Sequence, residues 1–156
     1  MLIIMAKILF IEDEEFLMEG LIFEMRDNGH EVIVTPNGEK AITYLKNDQQ
    51  DFDLIILDVM LPTGEPEGPL AAISKEIRTD ELGLEILRQL REEMNDQTPV
   101  IVLTAAIDVD LKNRIIELGI ARYFSKPTSL NDFMAAVNKV LPPKASTHEI
   151  KSTEIT

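Results

Sequence analysis

Glu12, Asp13, Asp58, Thr104 and Lys126 are the residues of this chain whose types and spacing could do chemistry together. Each follows a segment that reads as a strand: Lys7-Ile-Leu-Phe-Ile11 before the acid pair, Leu54 to Leu57 before Asp58, Val100 to Leu103 before Thr104, and Ile120 to Ser125 before Lys126. A carboxylate is costly inside such a run, but not at its end, at the mouth of a crevice. Three carboxylates gathered there repel one another unless a cation joins them. Hard oxygen ligands suit Mg²⁺, which keeps several waters and prefers a substrate phosphate as an additional ligand. Beside a metal, Asp58 has the makings of a nucleophile for phosphoryl transfer, a known use of carboxylates. The transferred group spreads its charge over three oxygens. The metal, the Lys126 ammonium, and the Thr104 hydroxyl with nearby backbone N–H groups could each take one. Singly, each residue has a plainer reading: helix-start acids, a turn aspartate, a capping threonine, a surface lysine. Their joint placement favours a site.

The elements that must position them read as an alternation. Continuous apolar runs of this length are strands buried on both faces. Leu54–Leu57 is such a run, and strands are expected over Lys7–Ile11, His30–Thr35, Asp53–Leu57, Thr98–Leu103 and Ile120–Ser125. Between them, helical spacing of apolar residues predicts helices over Glu14–Asn28 (Leu17, Leu21, Met25), Glu39–Asn47 (Ala41, Ile42, Leu45) and Val109–Leu118. The last helix carries Phe133, Val137, Val140 and Leu141 on one side, with Ser129 or Asn131 as its cap. Leu84, Leu87 and Leu90 suggest a longer helix before the fourth strand, and Leu70, Ile73 and Ile77 a shorter one. Strand and helix in turn give an α/β fold: a parallel sheet covered on both faces through right-handed crossovers. Pro142-Pro143 cannot continue the last helix, so residues 142–156 are expected as a polar, disordered tail, with no second domain.

Composition sets the outer bounds. At 156 residues and 45% hydrophobic content, the chain can build one domain with a single core. It has no cysteine and no signal-peptide pattern, so disulfides are excluded and a cytoplasmic location is expected. Its opening apolar run, Met1 to Met5, is too short to span a bilayer. A net charge of −13 argues against nucleic acid as a partner. His30 and His148 stand apart from other candidate ligands and are expected at the surface.

Four ordered blocks now carry a family resemblance: Lys7-Ile-Leu-Phe-Ile-Glu-Asp-Glu14, Asp53-Leu-Ile-Ile-Leu-Asp-Val-Met-Leu-Pro62, Pro99-Val-Ile-Val-Leu-Thr-Ala105 and Tyr123-Phe-Ser-Lys-Pro127. The chain resembles the receiver domain of two-component response regulators over Lys7 to about Leu141. The resemblance implies a flavodoxin-like, doubly wound five-stranded parallel sheet of order 2-1-3-4-5. It implies that Asp58 is the phosphoacceptor, supplied by a sensor histidine kinase or a histidine phosphotransfer protein. Asp13 and Asp58 would ligate Mg²⁺ directly, the Met60 backbone carbonyl would join them, and Glu12 would act through water. Glu12 occupies a place where the family usually has Asp, a common variant. Thr104 would be drawn inward on phosphorylation and Tyr123 would turn in behind it, remodelling a surface for an unidentified protein target. The Lys126–Pro127 peptide would be cis and would aim the ammonium at the phosphate.

The chain departs from this pattern after Pro62, where an insertion over about 63–82 precedes Gly83-Leu-Glu85. It could present a docking surface or be a tolerated surface excursion, since long insertions cost little loop entropy. Met60 and Ala106, two residues beyond Asp58 and Thr104, cannot hydrogen-bond a water through their side chains, which implies a long-lived phosphorylated state. The leading expectation is a free-standing signalling switch over residues 1–141 that acts by protein contact, without a DNA-binding output domain or membrane attachment, and is not an enzyme. A receiver-like interaction module working without phosphorylation is the alternative. A haloacid-dehalogenase-type phosphatase is disfavoured, because such enzymes carry a second acid where Met60 stands.

Overall fold

A computed structural model describes residues 5–47, 49, 51–61, 82–105 and 108–141. The insertion after Pro62 (apart from Leu82), the tail, Ala106 and His148 lie outside these residues. The strands are β1 (Lys7–Ile11), β2 (Glu31–Thr35), β3 (Leu54–Leu57), β4 (Val100–Thr104) and β5 (Arg122–Ser125). The helices are α1 (Glu19–Asp27), α2 (Gly38–Lys46), α3 (Leu82–Arg88), α4 (Val109–Leu118) and α5 (Leu130–Val140). All strand pairs are parallel and the sheet order is β2-β1-β3-β4-β5, as expected for a flavodoxin-like fold.

Alternate residues of the central strands feed two separate cores. Leu9, Ile11, Ile55, Leu57, Val100 and Val102 pack beneath α2, α3 and α4. Ile8, Phe10, Leu54, Ile56, Ile101 and Leu103 pack beneath α1 and α5. This is why the strands read as continuous apolar runs: each position is inside, on one face or the other. Burying each of these large apolar side chains is worth about 1.5–3 kcal/mol, so the central strands are held firmly and their carboxyl ends are fixed in place.

Local chemistry sets the helix ends. Asn37, Asp108 and Ser129 cap α2, α4 and α5 by accepting backbone N–H groups, so Ser129 rather than Asn131 is the last cap. After α1, Gly29 at φ 92° lets its own N–H reach Arg26 O and the His30 N–H reach Met25 O, closing the helix in a Schellman turn.

The first helix departs from its expected length. Glu15–Met18 form a 3₁₀ turn whose Leu17 is 63% exposed, and Ile22 and Met25 alone make the buried stripe of α1. Glu14 offers no side-chain cap to that turn. The helix of Leu84, Leu87 and Leu90 also changes character, continuing from α3 as a π-helical turn over Gln89–Glu93.

His30 is not at the surface. It is buried, and its Nδ1 accepts the Ala6 N–H at 3.3 Å, fixing the entry to β1. Periodicity could not show this, because the ring belongs to the turn rather than to a strand face. Burial lowers the His30 pKa, against the opposing pull of Asp53. A protonated ring would also present a donor to the Ala6 N–H. A depressed folded-state pKa gives stability that is complete above the ordinary histidine value and lost as pH falls through the folded value. Wild type is therefore expected to lose more stability than His30→Gln between pH 7.5 and pH 5, in parallel urea titrations. Equal losses in the two proteins would refute this.

Candidate functional site

The carboxyl ends of β1, β3, β4 and β5 meet at one edge of the sheet, where strand order reverses between β1 and β3. Glu12 leaves β1 by donating its N–H to Thr35 O at 3.0 Å, and Asp58 leaves β3 by donating to Ile11 O at 3.0 Å. The first bond ties the end of β1 to β2, and the second brings the residues after β1 and β3 side by side. Glu12, Asp58 and Thr104 are buried, whereas Asp13 is exposed. Burial of two carboxylates demands partners, and each has them.

Asp58 Oδ1 accepts the Thr104 hydroxyl at 2.8 Å and the Met60 N–H at 3.0 Å. Asp58 Oδ2 accepts the Lys126 ammonium at 2.9 Å. The same ammonium reaches Glu12 Oε2 at 2.6 Å, while Glu12 Oε1 accepts the Glu14 N–H at 3.1 Å. Lys126 is aimed inward by its own N–H on Thr104 O at 2.9 Å, and the Lys126–Pro127 peptide is cis.

The electrostatics show excess negative charge. Burial pushes the Glu12 carboxyl up to about 7, against the hydrogen bond from Lys126, and repulsion from Asp58 adds to the rise. Burial works against the Lys126 charge, but its hydrogen bonds to Glu12 and Asp58 outweigh this and hold its pKa above the ordinary lysine value. One oxygen from each of Glu12, Asp13 and Asp58 lies within 4.8 Å of the others. Lys126 pairs with two of these carboxylates, Glu12 and Asp58, while Asp13 adds a third negative charge, and an acidic pocket so composed is compatible with Mg²⁺.

Glu12, Asp13, Asp58, Thr104 and Lys126 are thus brought to one place. Tyr123 lies on β5, half-buried, with the Lys112 ammonium 4.8 Å from its ring centre. Burial raises the Tyr123 pKa, and the charge of Asp58 adds to it. Residue types and spacing carry no sign of that Lys112 contact, of the direct Glu12–Lys126 pair, or of the Met60 N–H on Asp58. The first two depend on side-chain reach between separate elements. The third depends on the turn after Asp58, for which spacing carries only a weak signal.

The fold is thus a doubly wound, flavodoxin-like parallel sheet with an acidic crevice at its switch point. The chain belongs to the response regulator receiver domain family, which it matches over residues 8–138. It is 31% identical over 152 residues to the alkaline phosphatase synthesis transcriptional regulatory protein PhoP of Bacillus subtilis, covering 96% of this chain and 55% of that protein. It is 30% identical over 137 residues to the response regulator ArlR of Staphylococcus saprophyticus, covering 88% and 53%. The chain spans about half the length of the curated relatives it matches. Among solved structures, a CheY-like receiver domain protein from Methanospirillum hungatei superimposes with a TM-score of 0.69 at 17% identity, covering 88% of this chain and 94% of that one. That likeness concerns the fold. Membership of the family places the chain in phosphorelay signalling, in which receiver domains take phosphoryl groups from histidine kinases.

Proposed function

We propose that this chain is a Mg²⁺-dependent phosphoacceptor switch, with Asp58 receiving a phosphoryl group from a sensor histidine kinase or a histidine phosphotransfer protein. The observation that carries the reading is the setting of Asp58: a buried carboxylate flanked by two further acids and gripped by a hydroxyl, a backbone N–H and an ammonium. A carboxylate oxygen of Asp58 attacks phosphorus as the donor's P–N bond breaks, leaving an acyl phosphate and a histidine that regains a proton. Asp13, Asp58 and the Met60 carbonyl would hold Mg²⁺, with Glu12 acting through water. The ion would supply charge neutralisation for the incoming phosphoryl oxygens.

Lys126 and Thr104 then need only change acceptor, from the Asp58 carboxylate to the phosphoryl oxygens. The Thr104 hydroxyl already points inward at Asp58, so its shift is a short one. Tyr123 follows it, leaving the Lys112 ammonium, and the changed surface of α4, β5 and α5 selects a protein target. An apolar groove lined by Leu17, Met18, Leu21, Pro127 and Leu130 opens beside Lys126 and suits a protein donor. In this reading the chain is a cytoplasmic switch rather than an enzyme, with neither nucleic acid nor membrane as its own partner. Among the described residues, no helix is long and apolar enough to cross a membrane.

The direct test is acetyl phosphate with Mg²⁺, followed by intact mass. One added phosphoryl group mapping to Asp58 is expected; no uptake would favour an interaction module working without phosphorylation. Met60 and Ala106 offer a water no side-chain hydrogen bond, so the acid-labile phosphate is expected to persist well beyond seconds in purified protein with Mg²⁺. Loss within seconds overturns that expectation.

A further inference from the structure

One peptide unit beside Asp58 is held from both sides. Its N–H, on Met60, donates to Asp58 Oδ1 at 3.0 Å. Its carbonyl, on Val59, accepts the N–H of Gly83 at 3.0 Å. The first turn of α3 therefore fixes the plane of the peptide that grips the carboxylate.

Gly83 achieves this by coming unusually close. A Cβ at this position would lie 2.4 Å from Val59 Cα and 2.7 Å from Asp58 O. Both are backbone atoms of a buried segment and cannot swing aside as a side-chain end can. Gly83 lies within α3, where glycine costs about 1 kcal/mol relative to alanine. It is not among the glycines of positive φ, so conformational freedom does not explain it. Space does. Leu82 and Leu84 on either side are both buried, which locks the turn against the sheet.

We propose that Gly83 is a positioning residue for phosphoryl acceptance, acting through the Val59–Met60 peptide to fix the N–H that orients Asp58. This rests on Asp58 being the acceptor. A methyl group at Gly83 must push α3 outward or rotate that peptide, and either movement withdraws the Met60 N–H. The carboxylate then keeps Thr104 and Lys126 but loses the contact that sets its rotation.

The test uses the full chain labelled with ¹⁵N in three variants. These are Gly83→Ala, replacement of the Leu82–Gly83 amide by an ester (which removes the Gly83 N–H and adds no Cβ), and Gly20→Ala as a control. A Cβ at Gly20 meets nothing within 4 Å. In Gly83→Ala and in the ester variant, Met60 amide hydrogen exchange is expected to accelerate and labelling by acetyl phosphate to slow about tenfold, as loss of one charge-assisted hydrogen bond implies. Gly20→Ala is expected to match wild type. A purely structural role would lower the unfolding midpoint, speed exchange of other core amides as much as that of Met60, and leave the labelling rate unchanged. An ester variant with wild-type Met60 exchange and labelling overturns the proposal, and it decides the matter even where Gly83→Ala does not fold. If wild type takes up no phosphoryl group, the acceptor reading fails, while the Met60 amide still reports on Gly83.

Discussion

Asp58→Asn is expected to reduce uptake from acetyl phosphate to background, against one phosphoryl group gained by wild type. An amide oxygen carries no full charge, and an amide nitrogen is not a nucleophile, so no acyl phosphate can form at this position. The surroundings should otherwise stand. An amide oxygen placed as Oδ1 still accepts the Thr104 hydroxyl and the Met60 N–H, and Glu12 still holds Lys126 at 2.6 Å. The amide nitrogen would face the Lys126 ammonium, donor against donor, so one contact of the ammonium is lost. Circular dichroism should therefore report a folded protein that cannot be labelled. Undiminished mass gain in Asp58→Asn would place the phosphoryl group elsewhere and end the reading.

Lys126→Met is expected to have the second-largest effect, and to show it in stability as well as in labelling. It removes the ammonium that two buried carboxylates share, and breaking a buried pair in this way costs about 3–5 kcal/mol. The cost should depend on pH. The Glu12 pKa is raised to about 7 by burial. The stability linked to this group is complete below the ordinary carboxylate pKa and is lost as pH rises through about 7. Lys126 lowers the Glu12 pKa, so its removal extends that loss to higher pH. Unfolding by urea without metal should show a wider gap between wild type and Lys126→Met at pH 8 than at pH 6. A gap equal at both values, or wider at pH 6, contradicts the charge assignment. Labelling with Mg²⁺ at pH 8 should fall about a hundredfold, the effect of removing one preorganised charge-stabilising group.

Much of this was legible in the residues because parallel sheets buried on both faces write themselves as apolar runs. Ile8 to Ile11, Leu54 to Leu57 and Val100 to Leu103 are inside whichever way they point, so the strands and their polar ends stood out. The order of the strands came from family resemblance rather than from any pattern, since alternation alone does not say which strand neighbours which. Helix detail was less accessible. Leu17 sits at helical spacing from Leu21, yet a 3₁₀ turn places it in solvent. His30 escapes a reading by periodicity because its burial arises from the turn in which its ring meets the Ala6 N–H. Within the site, the residue types could be read, but their pairing could not. Whether Lys126 touches Glu12, Asp58 or both depends on distances of a fraction of a side chain between elements far apart in sequence.

Leu61 and Leu82 are both buried in the same core, and the Gly83 N–H reaches Val59 O two residues before Leu61. The gateposts of the intervening stretch are thus close in space, and each is anchored in the core. Lengthening a closed excursion adds entropy only logarithmically, at about 0.6 kcal/mol per doubling. This position is therefore a natural graft point: a foreign module spliced between these gateposts would hang beside Asp58 without asking the sheet to rearrange.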